Sequence, residues 1–170
     1  MSKYIPRGVK PIKPKPGQES VWDYPRPPKL EAVKDTLRVI WEGEEIANTR
    51  DGVRILETSH PPVYYFPLSD VNPKVLVADA RSTFCEFKGM ARYYHLQNQR
   101  VQEPLAAWFY PSPNKAYLEL TNRIAFYPSK VEAAWVGDQR VKAQAGDFYG
   151  GWITPNIVGP FKGGDGTWGW

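Results

Sequence analysis

The stretch "LETSHPPVYYFP", Leu56 to Pro67, sets a carboxylate, two hydroxyls and an imidazole among two tyrosines and three prolines. Glu57 and His60 are of the types that do general acid–base work, because burial and neighbours can tune a carboxylate or an imidazole to move a proton near neutral pH. Further along, "TFCEFKG" adds a thiol and an ammonium, Cys85 and Lys88. The chemistry open to these four is nucleophilic: a thiolate at Cys85, an imidazole base at His60 and a donor pair for an oxyanion. The spacing does not demand it. A single cysteine in a strand commonly packs as a small inert apolar residue, no glycine-rich elbow flanks Cys85, and Ser59-His60, as chain neighbours, do not make a Ser–His dyad.

A ligand pocket without catalysis uses the same residues. Arg54, Glu57, His60 and Lys88 would fix polar groups, while Tyr64, Tyr65, Trp108, Tyr110 and Tyr127 would form walls. Small-molecule sites are mostly apolar and aromatic with a few placed polar groups. Lys162, in "GPFKGG", could approach a phosphate or carboxylate beside backbone N–H groups of a glycine nest, although the spacing is not that of a phosphate-binding loop. The plain alternative is that the rings are core and Glu57 sits in a structural ion pair.

The elements that must position these groups read as short strands. In "VRILETSHPP", period-two alternation puts Val53, Ile55 and Glu57 on one face and Arg54 and Leu56 on the other. Pro61-Pro62 then stops the strand and forces an extended path past His60. Tyr64 and Tyr65 point to opposite faces, so only one easily lines the same cavity. In "TFCEFKG", Thr83, Cys85 and Phe87 share a face, and Phe84, Glu86 and Lys88 the other. Cys85 and Lys88 meet in one pocket only if the strand twists or bulges near Gly89.

"TLRVIWEGEEIANT" predicts a hairpin turning at Glu42-Gly43-Glu44. "GVRILET" is a third strand, "KVLVAD" a strand or a helical turn, and "TFCEFK" with "ARYYHLQ" a second hairpin around Gly89. "AAWFY", "RIAFYP", "VEAAWV" and "RVKAQ" supply more strands, with a turn at Gly137-Asp138. One short helix is expected in "SPNKAYLELTN", capped by Ser112 with Pro113 at its first position, and a helical turn near Ser69 to Asn72. Many short strands with turn residues between them define an all-β domain.

The chain has 170 residues, 42% of them apolar, which suits one domain with a sizeable core. Residues 1–18 form a proline- and lysine-rich extended arm, and 19–170 the domain. In "SVWDYPRPPKLE" the rings of Trp22 and Tyr24 should dock on the body. The glycine- and tryptophan-rich tail from Gly146 should wrap an open edge or pocket in irregular form. Net charge is +4, much of the excess lying in the arm at Lys3, Arg7, Lys10, Lys13 and Lys15. The arm could meet an acidic protein partner or a membrane surface, or simply be a solvated tail. No helix-turn-helix pattern, RNA-binding motif or long basic stripe points to nucleic acid. No apolar run is long enough for a transmembrane helix, no secretory leader is visible, and one cysteine cannot form an internal disulfide. A cytoplasmic or other soluble intracellular setting is the expectation.

Several segments taken together, "ESVWDYPRPP", "LETSHPPVYYFP", "TFCEFKGMARYY", "AAWFYPSP", "IAFYPSKVEA" and "FYGGWITPNIVGPFKG", resemble the DUF427 domain family from about Glu19 to Trp170. The family's C-x-x-K-G pattern is matched by Cys85, Lys88 and Gly89, with Phe87 where many relatives have Trp or Tyr. The resemblance implies a β-tent, Mss4-like fold of two antiparallel sheets meeting at an angle. The family also carries a nucleotidyltransferase-like label, but neither a phosphate-binding loop nor a paired-aspartate metal site is visible in these residues. Relatives of that fold often hold zinc between CxxC pairs. Only Cys85, His60 and His95 are soft donors here, too few for a tetrahedral site, so no metal and no cofactor is expected. The function expected is a small-molecule-binding β domain with room for catalysis; the alternative is a non-catalytic accessory or scaffold subunit docked through the arm and tail.

Overall fold

The computed structural model describes residues 4–146 and 148–170, so Lys3 of the arm and Asp147 of the tail lie outside the described residues. Before the first hairpin come two short strands, β1 (Glu19–Ser20) and β2 (Lys29–Ala32). The hairpin is formed by β3 (Leu37–Trp41) and β4 (Glu44–Thr49). Leu37, Val39 and Trp41 are buried while Arg38 and Ile40 are half-buried, the alternation of a one-faced strand. Glu42 and Gly43 both take positive φ in the two-residue loop, as a tight hairpin of right-handed twist requires.

The remaining strands are β5 (Val53–Leu56), β6 (Val63–Pro67), β7 (Leu76–Cys85), β8 (Gly89–Gln97), β9 (Gln102–Phe109), β10 (Arg123–Phe126) and β11 (Ala133–Val136). Four short ones follow: β12 (Gln139–Arg140), β13 (Lys142–Ala143), β14 (Trp152–Ile153) and β15 (Ile157–Val158). The fold is all-β. A seven-stranded antiparallel sheet runs β2-β5-β6-β10-β9-β8-β7, and a four-stranded one runs β12-β11-β3-β4. Two short pairs, parallel β1–β15 and antiparallel β13–β14, tie the chain's ends to the body.

Strand β6 shows how one sheet serves two cores. Tyr64 and Phe66 point toward the four-stranded sheet and pack with Leu37, Val39, Trp41, Ile46 and Trp152. Tyr65 points the other way, into a second cluster with Val53, Ile55, Trp108, Tyr110 and Tyr127. The buried indole of Trp152 donates to the Phe126 carbonyl at 3.0 Å, which satisfies its one polar atom.

Two regular elements differ from the sequence reading. "KVLVAD" is not separate from "TFCEFK": a 3₁₀ turn at Pro73–Val75 leads into one continuous ten-residue strand, β7. Its register slips between Asp79 and Ser82, and that of β8 slips against β9 between Tyr94 and Leu96. The helix expected after Ser112 is a 3₁₀ segment, Lys115–Leu120, preceded by Asn114 and broken by non-helical φ/ψ at Tyr117. Only Tyr117 and Leu120 are buried there, a spacing of three that suits a 3₁₀ turn and gives no α-helical stripe. A 3₁₀ turn at Leu68–Asp70 takes the place of the one expected near Ser69. No helix among the described residues is long and apolar enough to cross a membrane.

The two register slips matter for the site. β5 and β7 are five strand spacings apart in the sheet, about 24 Å if it were flat. Ile55 and Cys85 nevertheless line one cavity, so the sheet curls around it, and bulges are the usual source of such bending. The curl is pinned at His95. Its Nδ1 accepts the Leu105 N–H at 3.0 Å, which leaves Nε2 as the protonated nitrogen, donating to Asp79 Oδ2 at 2.8 Å.

Candidate functional site

β5 ends at Leu56, and Glu57 to His60 form a turn closed by the His60 N–H donating to the Glu57 carbonyl at 3.0 Å. Ser59 holds φ at +74° in that turn and is fully buried, a position that usually calls for glycine. A turn brings its first and fourth residues together, and here Glu57 Oε2 stands 3.5 Å from His60 Nε2 and 3.2 Å from Arg26 Nη2. The tail locks the corner in place. Lys162 N–H donates to Ser59 O, and Trp152 N–H to Pro62 O.

The opposite wall is the β7–β8 hairpin. Its loop, Glu86 to Lys88, is three residues long, and Gly89 follows at φ +109°. The loop, rather than a strand bulge alone, brings Cys85 and Lys88 to the same side. Asn114 fixes it from below: its side-chain amide donates to Phe87 O at 2.8 Å and its backbone N–H to Lys88 O at 2.9 Å.

Between these walls lies a cavity of about 240 Å³ lined by Glu57, His60, Cys85 and Lys88 together with Tyr65, Trp108, Tyr110, Tyr127 and Lys162. Trp108 and Tyr127 pack with ring centroids 4.5 Å apart, and Tyr65 meets Trp108 edge-on at 6.4 Å. The Lys88 ammonium lies 5.7 Å from the Tyr110 ring centroid, and that of Lys162 5.4 Å from Tyr149. Lys162 also donates to the Trp170 carbonyl at 3.1 Å.

The electrostatics follow from burial and from these cations. Burial, joined by Lys162, Arg26 and Lys88, pushes the His60 pKa down to about 3 despite the nearby Glu57. Burial works to lower the Lys88 pKa as well, but the Coulombic pull of its neighbours, the Glu57 carboxylate among them, outweighs it and holds the ammonium above the usual lysine value. Burial raises the phenols of Tyr65, Tyr110 and Tyr127, which keeps them neutral donors.

Arg54 and Tyr64 do not join this cavity. They face the other side of the sheet, as alternation on β5 and β6 requires once Ile55 and Tyr65 face the cavity. Arg54 donates from Nη1 to Glu19 at 2.6 Å and from Nε to Glu31 at 2.7 Å, and Tyr24 OH donates to the same Glu19 carboxylate at 2.9 Å. The guanidinium is thereby committed to a knot joining β1, β2 and β5. Other lining residues were not singled out by sequence: Tyr93, Glu86, Phe148 and Tyr149 line the cavity, and Arg26 holds Glu57. Tyr93 shares a β8 face with Ala91 and was open to an alternation argument. Arg26 and Tyr149 come from proline- and glycine-rich segments with no periodicity to read.

The donors present do not fit a structural zinc. Cys85 is a single thiol, His60 faces the cavity, and His95 has both ring nitrogens engaged elsewhere. Among the described residues, no three His, Cys, Asp or Glu side chains gather as a metal site would need.

What fold and geometry define is an all-β domain whose larger sheet curls around one aromatic cavity with charged groups at its walls. The chain belongs to the DUF427 family, a domain of unknown function whose profile matches residues 29–137. The match takes in Glu57, His60, Cys85, Lys88, Trp108, Tyr110 and Tyr127, and leaves Tyr149 and Lys162 outside it. No curated protein matches the chain.

Proposed function

We propose that this chain is a small-molecule-binding β domain whose ligand occupies the cavity between the Glu57–His60 turn and the β7–β8 hairpin. The observation that carries the proposal is convergence. Polar groups distant in sequence, Glu57, Lys88 and Lys162, reach one cavity walled by Trp108, Tyr110 and Tyr127, which is the composition of a small-molecule site. Catalysis at Cys85 with His60 as base is the weaker part of the proposal. An imidazole that stays neutral down to about pH 3 is a poor base near pH 7. The two antiparallel sheets sharing a core support a β-tent, Mss4-like reading of the fold.

A broad metabolite screen by thermal shift on the full chain tests the binding role. At least one compound should raise the melting temperature, and Glu57→Gln or Lys88→Met should remove that rise while the unliganded protein still melts cooperatively. A screen without hits would end the proposal.

One observation favours an accessory-subunit reading beside it. Among the described residues the arm is held to the body by few bonds, such as Ile12 N–H to Gly159 O, and it exposes Tyr4, Ile5 and Ile12 among its cations. Such a segment suits an acidic partner with an apolar groove. Deleting residues 1–15 should release co-purifying protein; retention of the same partners would remove the arm from this role.

A further inference from the structure

We infer that the cavity takes a small planar monocarboxylate, its charged oxygens held by the Lys88 ammonium and the Tyr65 hydroxyl. The inference rests on the binding role proposed above and specifies its ligand class. Two independent observations point to a missing acceptor. The Tyr65 ring is wholly buried, and although Trp108 and Tyr110 stand near its hydroxyl, neither makes a hydrogen bond of good geometry with it; folded proteins seldom leave such a group unmade. Lys88 lines the same cavity and meets the Tyr110 ring face, while no carboxylate or carbonyl of the described residues lies within bonding reach of its ammonium. An ammonium offers three donors and no acceptor. Two donors of this kind converge usefully only on an acceptor, and the positive one favours a negative acceptor.

Shape and charge narrow the class. The walls near these donors are rings, Trp108 and Tyr110, which favour a flat apolar body. At about 240 Å³ the cavity is smaller than the roughly 300–1,000 Å³ of sites for drug-sized molecules. It suits a single ring or a short conjugated chain, not a nucleoside triphosphate. Glu86 in the lining opposes a second negative group.

Calorimetric titration of the full chain with benzoate, 4-hydroxybenzoate and cinnamate, set against benzamide, benzylamine and inorganic phosphate, tests this. At least one carboxylate should bind at least about tenfold more tightly than benzamide, the worth of one charge-assisted contact. Lys88→Met should weaken it about tenfold or more. Tyr65→Phe, which removes the hydroxyl and keeps the buried ring, should weaken it severalfold while the unliganded protein still melts cooperatively. Equal binding of amide or amine, a preference for phosphate, or unchanged affinity in Lys88→Met would overturn the ligand class while leaving the binding role standing. Silence from all six compounds also overturns the class; the fate of the binding role is then read from the wider metabolite screen.

Discussion

His60 is an imidazole packed edge-on against Tyr149 at 4.7 Å, with Lys162, Arg26 and Lys88 around it and one carboxylate, Glu57, beside it. A proton there is disfavoured in the fold but welcome in the unfolded chain. The folded pKa of about 3 lies below the ordinary 6.5, so the unfolded chain binds more protons between those values. The stabilising effect is complete above pH 6.5 and is lost as pH falls toward 3. Between pH 6.5 and 5 this one group should cost about 2 kcal/mol. Urea midpoints of the natural protein should fall across that window, and those of His60→Gln should fall less; parallel slopes would mean that His60 is protonated in the fold. Tyr65 supplies a second argument at this scale. Its hydroxyl is buried without a partner, so Tyr65→Phe should raise unliganded stability by about 1–2 kcal/mol. A loss of stability instead would mean that the hydroxyl is bonded in solution, for example by an ordered water.

At the scale of elements, much was legible. Alternation in "TLRVIWEGEEIANT" gave the first hairpin with its buried Leu37, Val39 and Trp41, and alternation at Tyr64-Tyr65 gave the split between two faces. What alternation lacks is long-range register. Nothing local in "VRILE" says that Arg54 will find Glu19 and Glu31 on segments that precede it in sequence. Nor does anything local in "ARYYHLQ" say that its strand slips register around His95. That slip is a built feature. Leu105 holds φ at +51° and gives its N–H to His95 Nδ1, so His95 secures a backbone conformation that Leu would otherwise avoid. His95→Phe should speed amide exchange at Leu105 about tenfold, the worth of one hydrogen bond of roughly 1–1.5 kcal/mol, with little change at Leu37 or Val39. Unchanged exchange at Leu105 would remove His95 from this role.

At the scale of the whole molecule, the cavity depends on chain outside the family match. Residues 29–137 supply the turn, the hairpin and most of the rings, but the tail closes the construction. Gln144 donates to Lys162 O and accepts from Gly151 N–H, folding the tail into a loop; Trp152 and Lys162 then bond the Ser59–Pro62 corner. Composition alone pointed to a wrap, since eight glycines and three tryptophans from Gly146 onward fit neither helix nor disorder. It could not say which rings the glycines would cross. Gly150 answers that. It sits at φ +69°, and a Cβ there would fall 2.6 Å from the Trp108 ring and 2.9 Å from Tyr127. The glycine is therefore required twice, once for its backbone conformation and once for its lack of a side chain against the cavity's aromatic wall. Gly150→Ala must either lift the tail or push Trp108 and Tyr127 inward, because both neighbours are buried rings with no free end to yield. The expected cost is about 2–4 kcal/mol from strain and overpacking, read as a lower urea midpoint, together with altered fluorescence from Trp108. A ligand that fills the cavity in the natural protein should bind Gly150→Ala at least about tenfold more weakly, although residue 150 lines no part of the charged wall. Full stability and affinity in Gly150→Ala would show that the tail stands off from Trp108 in solution and leaves that side of the cavity open.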